Sequence, residues 1–198
     1  MLPEPIKKFI NVFSKLPSIG PRMATRLAFF LSGLDKNALK ELEDAFAGLK
    51  KVSRCPNCFF IKSGSHLCSI CADPRRDKGT IAIVEKDTDL MSLEKTRAFG
   101  GHYLVLGELA EAGSLTPNEK LRLQHLKERI RKNLDGKAKE ILVAFSPSSI
   151  GDFTAELVKR EFNGLAEKIT RLGRGIPTGG EIEFADEETL RSALERRN

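Results

Sequence analysis

All four cysteines of the chain lie between Cys55 and Cys71, where they form two C-x-x-C pairs separated by nine residues. Each pair can direct two sulfur atoms at one point, and two pairs complete the tetrahedron that Zn²⁺ prefers. Four thiolates leave no open coordination position for water or substrate. We therefore expect one structural Zn²⁺ per chain, bound by Cys55, Cys58, Cys68 and Cys71.

Two other interpretations of this segment stay open at this point. A redox dithiol would place one active C-x-x-C on a βαβ unit, which the segment does not resemble. A disulfide would require an oxidising compartment. His66 lies between the two pairs as an alternative ligand, but with four cysteines present it is expected to be a loop residue.

Composition indicates a soluble, cytoplasmic protein in which thiols stay reduced. Hydrophobic residues make up 40% and charged residues 30% of the 198 residues, as in globular proteins. No apolar run approaches the roughly 20 residues that span a bilayer, so no membrane contact is expected. The first ten residues lack the apolar core and cleavage site of a signal peptide.

Positive charge is concentrated at the start of the chain. Residues 1–78 contain 14 Lys/Arg and 7 Asp/Glu, whereas the remaining 120 contain 19 and 20, so the net charges are +7 and −1. This asymmetry favours a basic surface for a polyanion, most simply nucleic acid. A basic surface that is merely solvated is the alternative.

The stretch KLPSIGPRMATRLAFFL predicts a helical hairpin with a phosphate-binding turn. Gly20 can adopt a positive φ, and the backbone N–H groups around it would face outward at a helix N-terminus. Arg22 and Arg26 lie four residues apart, on one face of the second helix. Together these three residues are the candidate contacts to a nucleic-acid backbone, and an ordinary hairpin with exposed arginines is the alternative.

Periodicity divides the chain into a helical part and an α/β part. Apolar residues at helical spacing predict three helices before Lys51, and Asp35 is expected to cap the third. Four apolar strands, within residues 81–84, 102–106, 141–145 and 168–172, alternate with helices at about 89–98, 118–133 and 154–162. Such alternation predicts a parallel sheet covered on both faces. A last helix is expected at about 187–197.

Four blocks of sequence resemble the RecR family of bacterial recombination mediators. They are LPSIGPRMATRLAFFL, CADPRRD (Cys71–Asp77), IAIVEKDTDLMSLEKT (Ile81–Thr96) and TRLGRGIPTGGEIEFADEETLRSAL (Thr170–Leu194). Their order and the total length agree with the family as well. Ser18 replaces the first glycine of the family's L-P-G-I-G-P motif.

The resemblance implies a mixed α/β fold in four parts. These are a helix-hairpin-helix segment (1–53), a four-cysteine zinc finger (54–78), a Toprim-like parallel α/β domain (79–174) and a C-terminal strand and helix for oligomerisation (175–198). It implies a bacterial, nucleoid-associated protein that assembles as a homodimer or homotetramer and clamps DNA, including single-stranded/duplex junctions. It also implies RecO and RecF partners and loading of RecA on single-stranded DNA.

The Toprim resemblance raises the alternative of a Mg²⁺-dependent nuclease or primase. Catalytic Toprim domains use a glutamate after the first strand, here Glu85, and an Asp-x-Asp pair after the third, which is missing. Asp152 is the one carboxylate near that position, and a two-metal site needs more ligands. We therefore expect no catalysis, with Glu85 and Asp152 as a vestigial acidic site or a partner contact.

Two loops of the sequence are further candidates for ligand binding. Residues 106–113 keep only fragments of a glycine- and proline-rich family loop, which places partner contacts there in question. The glycines around Arg174 resemble a phosphate loop but lack the G-K-[ST] lysine. A structural loop leading to the last strand and helix is expected instead.

Overall fold

The structure, a computed structural model, describes residues 2–109 and 114–195. Its chain separates after Val52 into two units, residues 1–52 and 53–198. The first unit is helical and the second contains the cysteine segment, the sheet and the C-terminal helix.

Three helices form the first unit: α1 (Glu4–Phe13), α2 (Pro21–Ser32) and α3 (Lys36–Leu49). Asp35 caps α3 as predicted, because its carboxylate accepts from the N–H groups of Asn37 and Ala38 at 2.8 and 3.0 Å. Ala24 and Ala28 are buried on α2, which contacts α1. The small side chains let the two helix backbones approach closely.

The apolar side chains of α3 are not buried as their helical spacing suggested. Leu39, Leu42, Phe46 and Leu49 are between 37% and 65% exposed. Phe46 meets α1 only edge-on, through Phe13 at 6.0 Å between ring centroids. Three short helices cannot surround every apolar stripe, so α3 keeps an exposed hydrophobic face.

Four parallel strands form the sheet of the second unit: β3 (Asp77–Val84), β4 (Gly101–Val105), β5 (Ala138–Ala144) and β6 (Ala166–Arg171). Their order is β4-β3-β5-β6, with Ile81 opposite both His102 and Ile141. The connecting helices are α5 (Asp87–Lys95), α6 (Pro117–Asn133) and α7 (Ser149–Glu161). The predicted parallel α/β arrangement is confirmed.

The two faces of the sheet are covered by different kinds of structure. Ile81 and Ile83 pack in a cluster with the apolar side of α6 and α7. Ala82 and Val84, whose side chains alternate to the other face, pack with Leu90 of α5 and with all four cysteines. The cysteine segment therefore completes the cover of one sheet face.

Two short strands and one helical turn build the cysteine segment. β1 (Val52–Arg54) pairs with β2 (Ile61–Ser63), and α4 (Ser69–Ala72) carries the second cysteine pair. The two strands flank the first C-x-x-C pair and enclose it.

The C-terminal helix α8 (Glu187–Glu195) is present as predicted, and residues 196–198 lie outside the described part. The strand expected before it is instead a 3-10 turn, Ile182–Phe184. In the described ranges, 2–109 and 114–195, no helix has the length and apolar character needed to cross a membrane.

Candidate metal centre and nucleic-acid interface

The four predicted metal ligands converge on one point. The Sγ atoms of Cys55, Cys58, Cys68 and Cys71 all lie within 4.8 Å of one another, and every one of these residues is buried. The Sγ atoms of Cys58 and Cys68 are 3.4 Å apart. Tetrahedral coordination with Zn–S bonds of about 2.3 Å requires sulfurs about 3.8 Å apart, so the cluster fits such an ion.

Backbone hydrogen bonds hold both cysteine pairs in shape. Phe59 N–H donates to the carbonyl of Cys55 at 2.9 Å, and Phe59 takes a positive φ of 61° to close the first turn. In the second pair, Cys71 N–H donates to Cys68 Sγ at 3.4 Å. Cys68 N–H donates to Cys55 Sγ at 3.5 Å, which links the two pairs. Such N–H···S contacts favour thiolates, the form that binds metal.

The thiols shift one another's pKa values in opposite directions. The hydrogen bond with Cys68 raises the pKa of Cys58, and burial adds to that increase. Hydrogen bonds from Cys58 and Cys71 lower the pKa of Cys68 to about 2. Four thiolates this close repel one another unless a cation lies between them, so the donor set suits a divalent, sulfur-preferring ion.

The cysteine segment is joined to the sheet and helices of the second unit by contacts that the sequence did not indicate. Val105 N–H, at the end of β4, donates to the carbonyl of Cys58 at 2.8 Å. Arg129 on α6 donates from Nη1 to the carbonyl of Asn57 at 2.9 Å. Arg129 lies in the basic run KERIRKN, where nothing in the residue pattern sets it apart from its neighbours.

Asp87 forms a second junction, between the cysteine segment and helix α5. At the first turn of α5, its carboxylate accepts from Arg54 Nη1 at 2.7 Å and from the N–H of Ile61 at 3.1 Å. The cysteine cluster is thus attached to the rest of the second unit on both sides of the first C-x-x-C pair.

The hairpin of the first unit presents the predicted basic residues at the start of α2. Gly20 is the N-cap residue and Pro21 begins the helix, so no side chain caps its N–H groups. Arg22 and Arg26 are exposed and form no ion pair among the described residues. Two guanidinium groups and open backbone donors at a positive helix end can together hold a phosphate.

The unusual backbone conformation of this turn lies at Ser18 rather than at Gly20. Ser18 has a φ of +62°, whereas Gly20 is extended, with φ −81° and ψ 172°. A Cβ atom added to Gly20 would meet nothing within 4 Å. The expectation of a positive φ at Gly20 is therefore wrong.

The two carboxylates of the predicted acidic site have separate internal partners. Glu85, at the end of β3, is buried and accepts from the N–H of Ser146 at 3.3 Å. Burial raises its pKa, and the hydrogen bond from Ser146 partly offsets that increase. Asp152 on α7 is paired with Arg171 and Arg174. Burial alone would raise the pKa of Asp152, but these two guanidinium groups outweigh burial and hold it below the usual range.

No further set of metal ligands accompanies these carboxylates. Over residues 2–109 and 114–195, the four cysteines are the one group of three or more His, Cys, Asp or Glu side chains placed to hold an ion. Arg174 also pairs with Glu188 of α8, so the glycine-rich loop connects Asp152 to the C-terminal helix.

The altered loop at 106–113 lies partly outside the described residues, which end at Leu109 and resume at Ser114. Before that gap, Gly107 has a φ of +117°. Arg122 on α6 fixes the end of β4 by donating to the carbonyls of Val105 and Leu106 at 2.9 and 3.1 Å.

Comparison with known proteins gives three family matches in chain order. The RecR helix-hairpin-helix model matches residues 6–48, the Toprim domain model matches 79–173, and the RecR C-terminal model matches 175–198. The protein is therefore of the class that joins a helix-hairpin-helix to a Toprim domain.

Full-length relatives define the family more closely. "Recombination protein RecR" of Frankia alni is 38% identical over 97% of this chain and 95% of its own length. The protein of that name from Bifidobacterium animalis is 41% identical over 97% and 94%, and that from Chloroflexus aurantiacus is 38% identical over 100% and 95%. The chain belongs to the RecR family.

Proposed function

We propose that the protein is a DNA-binding recombination mediator that acts without catalysis. Membership of a family of recombination proteins supports a role in DNA recombination and repair. In this proposal the chain assembles with itself into a clamp on DNA, works with RecO and RecF type partners and helps to load RecA on single-stranded DNA. It would do so in the bacterial cytoplasm, associated with the nucleoid.

The proposal of DNA binding rests on the residues at the start of α2. Arg22 and Arg26 are exposed, and so is Gly20, the N-cap residue of a helix whose first N–H groups have no side-chain cap among the described residues. Contacts of this kind position a protein on a nucleic-acid backbone without reading the bases. A mediator that must act at any sequence requires this mode of binding.

The metal part of the proposal is one structural Zn²⁺ per chain. Four sulfur ligands, all buried, suit zinc and leave no position for a reacting molecule. The cysteines would bind the ion as thiolates and stabilise a segment that is too short to build its own hydrophobic core.

Absence of catalysis is proposed because the acidic groups are already engaged. Asp152 is held by two arginines, and Glu85 accepts from a backbone N–H group in a buried position. A two-metal phosphoryl-transfer site would need these carboxylates, and others, turned toward the ions.

Charge reversal at the hairpin tests DNA binding. We expect Arg22→Glu/Arg26→Glu to weaken binding of a fluorescent single-stranded oligonucleotide by about tenfold or more at 0.1 M salt. The slope of log K against log salt should become about 1.4 less steep, since about 0.7 is lost per phosphate contact on single strands. Fluorescence anisotropy over a salt series measures both quantities.

Lys36→Glu/Lys50→Glu is the matched control, because it reverses the same number of charges in the same unit, at the first residue of α3 and at the residue that follows its end. It should leave the salt slope unchanged. Equal losses in the two double variants would mean that only net charge matters, and the proposed phosphate site would be wrong.

A further inference from the structure

Arg129 is a cation with an unusual set of neighbours. It lies on α6, partly buried, and its Nη1 donates to the Asn57 carbonyl inside the first cysteine pair. No carboxylate of residues 2–109 or 114–195 forms an ion pair with it. A guanidinium remains charged in proteins, and a peptide carbonyl carries no net charge to balance it.

The groups that can balance this charge are the cysteine sulfurs as thiolates, because Asn57, which accepts the hydrogen bond from Arg129, lies between Cys55 and Cys58. Burial lowers the pKa of Arg129, whereas the negative charges of Cys71, Cys58 and Cys55 act in the opposite direction and favour its charged form. Arg129 also lines the same cleft, of about 440 Å³, as Cys71.

The metal centre requires positive charge from its surroundings. A divalent ion with four thiolates carries a net charge of −2, and here the sulfurs are almost completely removed from water. Burying such a charge is costly unless oppositely charged or hydrogen-bonding groups lie next to it. Groups just outside the ligands commonly set metal affinity for this reason.

Other polar residues of the cleft are less suited to this role. Lys78 is exposed, so water and salt screen its charge. His102 is buried, and its Nε2 has no hydrogen-bond partner in the described part of the chain, but an imidazole is mostly neutral at pH 7. Asn57 and Asn133 carry no charge.

We propose that Arg129 is the counter-ion of the metal–thiolate centre. Its guanidinium offsets part of the negative charge on the sulfurs, and its hydrogen bond to Asn57 holds the first cysteine pair in the metal-binding shape. Through this residue, α6 of the sheet domain takes part in metal retention. The inference rests on the zinc site proposed above and extends it to a residue outside the cysteine segment.

The test compares three single variants of the full chain. Arg129→Gln removes the charge but keeps an amide donor, Arg129→Lys keeps the charge, and Arg131→Gln removes the same charge from an exposed position of α6. Zinc content is measured after purification, and affinity is measured by competition with a chromophoric chelator.

We expect Arg129→Gln to lower zinc affinity by about 10- to 100-fold, the range usual for residues that support metal ligands. Arg129→Lys should retain most of the affinity and Arg131→Gln all of it. With Co²⁺ in place of zinc, the thiolate-to-metal absorption band should shift in Arg129→Gln but not in Arg131→Gln, which a general loss of stability would not produce.

The possible results distinguish the zinc site itself from the role of Arg129. Wild-type protein that contains no zinc would overturn the zinc site itself. Wild-type protein with zinc, together with an Arg129→Gln variant that binds it as tightly as Arg131→Gln, would overturn only the role of Arg129. Equal loss in Arg129→Lys and Arg129→Gln would overturn the charge argument.

A folding defect in Arg129→Gln does not remove the test. Refolding of that variant should then require a zinc concentration about 10- to 100-fold above that which the wild type requires. Failure to refold at any zinc concentration would count against the proposal.

Discussion

Ser18 adopts a backbone conformation that its side chain disfavours. At φ +62° its Cβ atom crowds the following carbonyl, which costs about 1–2 kcal/mol for an L-residue. The RecR-like motif, in which a glycine stands at this position, marked Ser18 as unusual but did not identify it as the residue with positive φ. Gly20, the residue expected to do so, is extended.

We predict that Ser18→Gly stabilises the first unit by about 0.5–1 kcal/mol. Glycine removes the steric penalty in the folded state. It also raises the backbone entropy of the unfolded chain, which offsets part of the added stability. The free energy of opening, measured by hydrogen exchange of α1 and α2, should increase by that amount. Ser18→Ala is the control, because alanine keeps the penalty. Equal effects of both substitutions would assign the change to the serine hydroxyl instead.

Among the elements, the cysteine segment has a position that its own sequence could not indicate. Two C-x-x-C pairs were sufficient to predict that the four cysteines form one cluster that could hold a metal, because ligand type and spacing are local properties. The segment lies on the sheet face formed by Ala82 and Val84. That position depends on contacts with Val105 and Arg129, which lie far away in the chain. Local spacing contains no information about such contacts.

The strands, in contrast, could be predicted because their pattern is local. Runs such as Ile81–Val84 are apolar at every position, and that pattern suffices for a buried parallel strand. The partners of Asp152 were not predictable, since they depend on how β6 and the following loop pass α7.

Metal removal should uncover one face of the sheet and leave the other face packed. Tyr103, which is the one tyrosine of a chain without tryptophan, lies in the cluster beneath the cysteines. We predict that a strong chelator, or Cys58→Ser, increases acrylamide quenching of its fluorescence by several-fold. Binding of the dye ANS should rise in parallel.

Helical content should change little in this experiment, because α6 and α7 pack on the other face with Ile81 and Ile83. Ser53→Ala is the control, since it alters a residue of the segment that is no ligand. Unchanged quenching after complete metal removal would show that the cover does not depend on the ion.

At the scale of the whole molecule, the first unit carries more exposed apolar surface than a solitary domain requires. Phe29, Phe30, Phe46 and Leu49 are each more than half exposed. Large exposed aromatic side chains in one helical unit are typical of an interaction surface. We propose that these side chains contact other copies of the chain, in line with the proposed clamp.

We predict that Phe30→Glu/Phe46→Glu lowers the mass of the proposed homo-oligomer. Burying a carboxylate in place of a phenyl ring carries a large desolvation cost, so association through this surface should be lost. Light scattering coupled to size-exclusion chromatography measures the mass. Leu121→Glu, at an exposed leucine of the second unit, should leave the mass unchanged. An assembly of full mass in the double variant would show that other surfaces hold the copies together.

The cysteine segment also affects how the protein is made. It is synthesised before the strands that it covers, so the proposed ion could bind the segment on the ribosome before the sheet is complete. A chain completed during metal shortage would carry an unfinished hydrophobic face, the kind of surface that chaperones retain and proteases degrade. The cellular supply of zinc would then limit how much of the protein escapes degradation. Cells starved of zinc should therefore repair their DNA more slowly.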